Sequence, residues 1–229
     1  MAESEFPGRP RVAKGSLWVY ADQTFGAQPE RTIVFQYNPE SLRRAFALRA
    51  PARDASQSST AREDVLSVPG PPVETITMTV ELDAADQLED PRHRDQVNQT
   101  GLRGALAALE LLLYPATARV SQIDQQAQRG AVDVHPADTP LVVLHWGAST
   151  PSDATDESSG NARIVPVQLQ SLSITEELFD PALNPIVAKA ELTLKVLTYM
   201  EFTRQSVGRE TFIAHQKKME ELAQQWVGG

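Results

Sequence analysis

Alternation of apolar and polar positions is the dominant pattern along this chain, and it predicts β-strands. In residues 75–82, isoleucine, methionine, valine and leucine alternate with threonines and a glutamate. The same period of two runs through residues 188–196, where alanine, leucine and valine alternate with lysine, glutamate and threonine. Because successive side chains of a strand point to opposite faces, both segments are predicted to be strands with one buried and one polar face.

Five further segments carry weaker strand patterns. They are residues 17–20, 32–37, 42–48, 141–146 and 164–175. In the last of these segments the apolar positions change phase between Leu169 and Leu172. One inserted residue near Ser171 accounts for the change, so we predict a β-bulge or a bend at this point.

One internal segment has helical spacing. Residues 101–113 place leucines and alanines on one side, and Pro115 follows the stripe. Asn98 or Thr100 is a candidate N-cap, because short polar side chains accept hydrogen bonds from the first free N–H groups of a helix. The pattern predicts a helix that packs against the sheet.

A second helix is predicted near the end of the chain, over residues 210–227. Lysines and glutamates cover one side of it, and the other side is apolar. Two interpretations stay open: the helix packs on its own sheet, or it docks on a neighbouring subunit, for which Trp and Met are good anchors. The apolar side carries Phe212, Met219, Leu222 and Trp226.

Two stretches without apolar periodicity are predicted to be long loops. Residues 50–72 are rich in Ala, Ser, Arg and Pro, and residues 149–161 are rich in Ser and Asp. Loops of this length in a compact domain are usually functional or disordered. The predicted organisation is a strand-rich domain over residues 1–198, which includes both loops, and a helical extension over residues 199–229.

The charge of the chain is acidic and concentrated in one region. Lysine and arginine number 21 and aspartate and glutamate number 30, so the formal net charge is 21 − 30 = −9. Residues 130–180 hold eight acidic residues against one arginine. This region is either a solvated face or a surface complementary to a partner. An acidic chain is not expected to bind nucleic acid through its phosphates.

Neither secretion nor a membrane partner is expected. The N-terminal sequence Met-Ala-Glu-Ser-Glu lacks the basic and apolar regions of a secretory signal, which predicts a cytoplasmic location. The most apolar stretch, residues 104–114, is too short to cross a bilayer and contains Glu110.

The residue types that carry enzyme chemistry are absent or scattered. The chain has no cysteine, its four histidines lie in different predicted elements, and it has no His-Glu-x-x-His, Gly-x-Ser-x-Gly or Walker motif. Asp153 and Asp156 lack the spacing of a calcium loop. Glu176 and Glu177 are adjacent, so their side chains point to opposite faces of a strand. We therefore predict no enzyme activity, no metal site and no cofactor.

Three segments in a fixed order carry a recognisable motif. They are Phe-Gln-Tyr-Asn-Pro-Glu-Ser-Leu at residues 35–42, the alternating strand at residues 72–82, and Leu-Val-Val-Leu-His-Trp-Gly at residues 141–147 followed by residues 179–188. This ordered set resembles the tube and tube-adaptor proteins of contractile injection systems, the phage-tail-like particles that drive a spiked tube into a target. The motif residues are Phe35, Tyr37, Asn38, Pro39, Trp146, Gly147, Phe179, Asp180, Pro181, Asn184 and Pro185.

The residue types of the motif are those of turns and cores. Asn38 and Pro39 are predicted to set a turn, because Pro fixes φ and Asn tolerates turn geometry. Phe35 and Tyr37 are predicted to share the core face of a strand. Residues 180–185 are predicted to join two long strands by a fixed connection. None of these residues is placed for bond-making chemistry.

The resemblance implies a tail-tube-like β-barrel or sandwich with one flanking helix, beside which this chain has its C-terminal amphipathic helix. It also implies a homo-hexameric ring around a lumen, in which subunits extend one another's sheets. The implied partners are a spike protein trimer, the inner tube protein and other baseplate components. The loop at residues 50–72 is then the segment that contacts the adjacent ring. The candidate inter-subunit residues are Arg53, Arg62, Phe212, Met219, Leu222 and Trp226.

The chain departs from the family in one respect. Members can carry a small glycan-binding LysM-type module after the barrel, whereas here residues 199–229 read as a helix. This favours an adaptor between spike and tube, or a tube-initiating ring. The main tube protein is disfavoured because its subunits are usually shorter. The alternative from another class is a small-ligand or glycan-binding module on the same sandwich, with Trp146 or Trp18 as a stacking platform.

Overall fold

Seven strands and three helices make up the described part of the chain. The computed structural model describes residues 13–49, 68–85, 99–128, 139–147 and 162–226. The strands are β1 (Gly15–Tyr20), β2 (Arg31–Val34), β3 (Leu42–Ala47), β4 (Val73–Asp83), β5 (Leu141–Trp146), β6 (Arg163–Phe179) and β7 (Pro185–Val196). The helices are α1 (Arg103–Glu110), α2 (Thr117–Gln128) and α3 (Val207–Gln225). The chain is mainly β with a C-terminal helix, which confirms the predicted fold class.

All seven strands belong to one antiparallel sheet. Their order is β2-β1-β5-β6-β7-β4-β3, so β2 and β3 form its two edges. β1 pairs with β2, which follows it closely, on one side and with the distant β5 on the other, where Gly15 lies opposite Trp146. The three longest strands, β6, β7 and β4, are neighbours in the sheet.

The alternation in β4 and β7 decides which face of the sheet is buried. Met78 of β4 lies opposite Leu192 of β7, and both side chains are buried in the main core. The side chains between them are polar, and Thr79 and Glu191 form an exposed pair on the outer face. Both strands were predicted from this period of two. Four leucines of the flanking helical segment join the same core: Leu102, Leu106, Leu109 and Leu112.

The predicted β-bulge lies in β6. Leu169 pairs with Leu194 and Ser171 pairs with Thr193, so the register shifts by one residue at Gln170. The shift lets Leu172 face the core side again after the change of phase. The prediction from the sequence is confirmed.

The side chain of Gln36 links the chain after β2 to β4, which lie in opposite halves of the strand order. Its Nε2 donates to the carbonyl of Asp83 (2.8 Å), and its Oε1 accepts from the Asp83 N–H (3.0 Å). Gln36 follows β2, whereas Asp83 ends β4. One amide side chain therefore bonds to β4 as a strand backbone would, and it holds the sheet around its core.

We predict that Gln36→Ala destabilises the protein by about 2 kcal/mol, because it leaves a partly buried N–H and C=O without partners. Urea unfolding followed by circular dichroism measures this change. Gln170→Ala is the matched control: this exposed bulge residue should cost less than about 0.5 kcal/mol. Equal costs for the two variants would contradict the role of Gln36.

The N-terminus of α1 differs from the prediction. The N-cap residue is Leu102, and no side chain caps the helix, so Thr100 is not the cap; Asn98 lies outside the described residues. The Leu102 N–H instead donates to the carbonyl of Pro185 (3.0 Å). A backbone contact with the β6–β7 turn thus satisfies the Leu102 N–H, for which the sequence suggested a capping side chain close by in the chain.

The other two helices differ in how much they bury. α2 was not predicted, and none of its residues is buried. α3 begins three residues before the predicted start, and the Ser206 side chain caps it by accepting from the Arg209 N–H (3.2 Å). α3 packs mainly against β6.

Several predictions fall outside the described residues. The loop at 149–161 is outside entirely, as are residues 50–67 of the loop at 50–72, with Arg53 and Arg62. Five of the eight acidic residues in the region 130–180 lie there too, whereas three are described: Glu176, Glu177 and Asp180.

Candidate assembly interface

The C-terminal helix α3 leaves the sheet and its core about half-way along its length. Phe212 and His215 of α3 are buried, and Phe212 belongs to the main core. Beyond His215 nearly every residue is exposed, and residues 216–226 are called the arm below. The large apolar side chains of the arm are exposed: Met219 by 41%, Leu222 by 43% and Trp226 by 78%.

The buried side of α3 continues along the arm. Steps of three and four residues separate Phe212, His215, Met219, Leu222 and Trp226, so all five lie on one side of the helix. The first two face their own subunit, and no described residue covers the last three in the same way. Phe212 is therefore a correction to the candidate inter-subunit residues, because its own core buries it.

Charged side chains from three strands form a cluster close to His215, in the last buried turn of α3. Arg44 Nε of β3 and Glu74 Oε1 of β4 form an ion pair (2.5 Å), and Glu74 is buried. Burial lowers the pKa of His215; the guanidinium groups of Arg44 and Arg163 lower it further, whereas Glu74 opposes them. The buried His215 Nε2 has no hydrogen-bond partner among the described residues. The site therefore favours the neutral form of His215.

Asn38 fixes the chain that leads into β1. Its Oδ1 accepts from the Gly15 N–H (2.9 Å) and its Nδ2 donates to the carbonyl of Ala13 (2.8 Å). Phe35 is buried in the core as predicted, but Tyr37 is 40% exposed. β2 ends at Val34, so the alternation that would bury Tyr37 does not extend to it.

The connection between β6 and β7 is fixed by one carboxylate. Asp180 Oδ1 accepts from the N–H groups of Ala182 and Asn184, and its Oδ2 accepts from Asn184 Nδ2, all at 2.8 Å. The hydrogen bonds from Asn184 lower the pKa of Asp180. The buried Asn184 precedes Pro185, and the Pro185 carbonyl accepts a hydrogen bond from the Leu102 N–H at the start of α1. This turn therefore positions the flanking helix.

The same turn exposes an apolar tip. Leu178, Phe179 and Leu183 are 68%, 50% and 70% exposed. Leu178 and Leu183 have positive φ angles, 53° and 61°, which branched side chains adopt only when the surrounding turn imposes them. Pro181, also exposed, lies between them. The tip is at the opposite end of β6 from Arg163, and it is a second uncovered apolar surface.

Two edge strands offer unpaired backbone. β2 and β3 each pair on one side only among the described strands. All six residues of β3 are exposed or half-buried, including Phe46. Such edges can extend a sheet into a neighbouring chain.

The tryptophans that could stack on a ligand are covered to different extents. The Trp18 ring is stacked on the His145 ring, with 3.6 Å between centroids, and both residues are buried. Trp18 therefore offers no free face in this structure. Trp146, at the end of β5, is half-buried and packs against the main core, and Gly147 follows it with a φ of +102°.

His145 lies in β5, next to Trp146. It is buried, and its Nδ1 has no hydrogen-bond partner among the described residues. Burial lowers the pKa of His145 to about 4. Its interaction is the stack with Trp18, which only the pairing of β1 with β5 brings about.

A groove of about 700 Å³ lies between the β1–β2 hairpin and the turn that joins α1 to α2. Its walls combine apolar and charged groups. Arg31 is half-buried, and its buried Nε has no hydrogen-bond partner among the described residues. The main lining residues are Val19, Arg31, Leu111, Tyr114, Arg119 and Pro140.

No protein family matches this chain, and no curated protein matches its sequence. Among the helices in the described part of the chain, none combines the length and the apolar character that crossing a bilayer requires. The same residues contain no group of three His, Asp or Glu side chains that could hold a metal ion.

Proposed function

We propose that this chain is a non-enzymatic structural component of a phage-tail-like contractile injection system. In this proposal six copies form a ring that joins the spike to the inner tube or initiates the tube. The ring binds a spike trimer on one side and tube or other baseplate subunits on the other. The ordered motif of the sequence supports this function, because it resembles that family.

The observation that carries the proposal is the uncovered apolar face of the arm. Trp226 is 78% exposed at the end of a helix whose first half is buried. Large apolar side chains that continue a buried face without cover are typical of surfaces that bind another protein. The unpaired edges of β2 and β3 support the proposal independently, because rings of this family extend their sheets between subunits.

Purified protein should form closed rings of six 25.1-kDa chains. Mass photometry over a range of concentrations, and negative-stain microscopy with and without a spike protein, measure this. Monomers under every condition, with the spike protein included, would refute the proposed function.

Deleting residues 216–229 should leave a folded barrel that assembles at least tenfold less readily. The cut preserves Phe212 and His215, which the core and the charged cluster hold. Circular dichroism checks the fold and mass photometry checks the assembly. A matched variant, Gln216→Ala with Gln224→Ala, changes the arm outside its apolar side and should assemble normally. Unchanged assembly of the deletion would show that the arm has no part in it.

A further inference from the structure

We infer that the groove between the β1–β2 hairpin and the α1–α2 turn binds the arm of a second copy of this chain. This inference rests on the proposed function, because it specifies how one subunit of the ring holds the next. It joins two of the features that the described residues leave uncovered: the apolar side of the arm and the groove.

The arm of one subunit cannot fill its own groove. α3 begins beside the groove, where the Val207 N–H donates to the carbonyl of Gln23 (2.9 Å), and Gln23 also lines the groove. The helix then runs to His215, which interacts with Arg163 at the other end of β5 and β6. Nineteen residues at about 1.5 Å each place the arm far from its start.

Two complementary sites on opposite sides of a subunit make a head-to-tail contact. Such a contact repeats from copy to copy, and it closes into a ring when the rotation between copies allows closure. A two-fold dimer would instead require each site to face its own copy. The separation of arm and groove therefore favours a ring over a pair.

The apolar surfaces of the two sites match in kind. The arm presents Leu222 and Trp226, and the groove presents Leu111 and Tyr114, which are 49% and 62% exposed. An amphipathic helix that lays its apolar side into such a groove is a common mode of recognition. Trp226, at the end of the arm, is the anchor.

The charges at the borders also match. In the helix, Lys218 borders the apolar stripe and forms an ion pair with Glu221 (3.7 Å), whereas Glu220 lies beyond the other border, on the polar side. Two arginines, Arg31 and Arg119, line the groove, and so does Glu30, which precedes Arg31 in the chain. Lys218 can meet Glu30 at one rim of the groove, and the long Glu220 side chain can reach the arginines at the other rim. The buried Arg31 Nε lacks a partner among the described residues, which a polar group from an occupant would supply.

Engineered cysteines test this contact directly, because the natural chain has none. Gln225→Cys marks the border of the arm, and Thr117→Cys marks the groove; both leave Trp226 and Tyr114 intact. The two single-cysteine proteins, one of them carrying a size tag, are mixed under mild oxidation. We expect the mixed disulfide to form at least tenfold more than with Ser173→Cys, an exposed control on the outer face of β6.

A charge exchange gives a second readout. Arg119→Glu should weaken association about tenfold in mass photometry, and adding Glu220→Arg in the same chain should restore most of it. Cross-links between arms alone, or equal cross-linking at Ser173→Cys, would overturn the inference. If either outcome occurs and rings still form, the proposed function stands and only the contact between arm and groove is refuted. Monomers under every condition would overturn both.

Discussion

Replacing Gly101 by alanine is expected to lower the free energy of unfolding by about 3 kcal/mol or more. Gly101 has a φ of +56°, and an added Cβ would lie 2.5 Å from the carbonyl oxygen of Pro185 and 3.0 Å from the Asn184 Cβ. The left-handed conformation costs a non-glycine residue about 1–2 kcal/mol. The rest comes from pushing apart the contact that seats α1 on the β6–β7 turn. Urea unfolding measures the loss.

The matched control is Gly26→Ala. Gly26 also has a positive φ, +83°, but an added Cβ meets nothing within 4 Å. This variant should lose only the conformational cost of about 1–2 kcal/mol. If the two variants lose the same stability, the backbone contact with Pro185 does not require glycine at position 101.

Acid should destabilise the protein well above the pH at which its carboxylates titrate. The pKa of His145 is about 4 in the folded chain because of burial, against 6.5 for a free histidine. Between these values the unfolded chain binds a proton that the folded chain does not, so stability is full above pH 6.5 and falls as the pH decreases toward 4. The loss amounts to about 2 kcal/mol at pH 5 and about 3 kcal/mol at pH 4. Urea unfolding at a series of pH values measures it.

His145→Phe should remove most of this pH dependence. The phenyl ring keeps the stack on Trp18 and introduces no buried nitrogen, so stability at pH 7 should be unchanged or higher. His215, whose pKa is also lowered, leaves a smaller remainder, which His215→Gln removes separately. An unchanged acid response in His145→Phe would mean that another group carries it.

Local patterns were sufficient where neighbours in sequence decide the structure. β5 has the predicted bounds, the strand at residues 75–82 is the centre of β4, and the phase change in β6 marks its bulge. β2 is shorter than predicted because the chain turns after Val34, where Gln36 bonds to a distant strand. α2 was missed because it buries no residue, and so its sequence carries no clear stripe.

The candidate interface was only partly within reach of the sequence. The spacing of Met219, Leu222 and Trp226 predicts an apolar side, but it gives no sign of where the sheet and its core stop covering the helix. Phe212 was assigned to the wrong environment for this reason. The groove could not be predicted at all. Its walls come from segments around Val19, Leu111 and Pro140, which meet only through the pairing of β1 with β5.

The late pairing of β1 also has a consequence for biosynthesis. β1 is apolar on both faces, with Leu17 and Val19 on one and Trp18 and Tyr20 on the other. Its partner β5 is not complete until Trp146 has been added. At about 5–20 residues per second, the ribosome takes on the order of ten seconds to cover that distance. During this interval β1 can pair with β2, but its other edge and its apolar faces stay uncovered, so the nascent chain is prone to aggregate until β5 is complete.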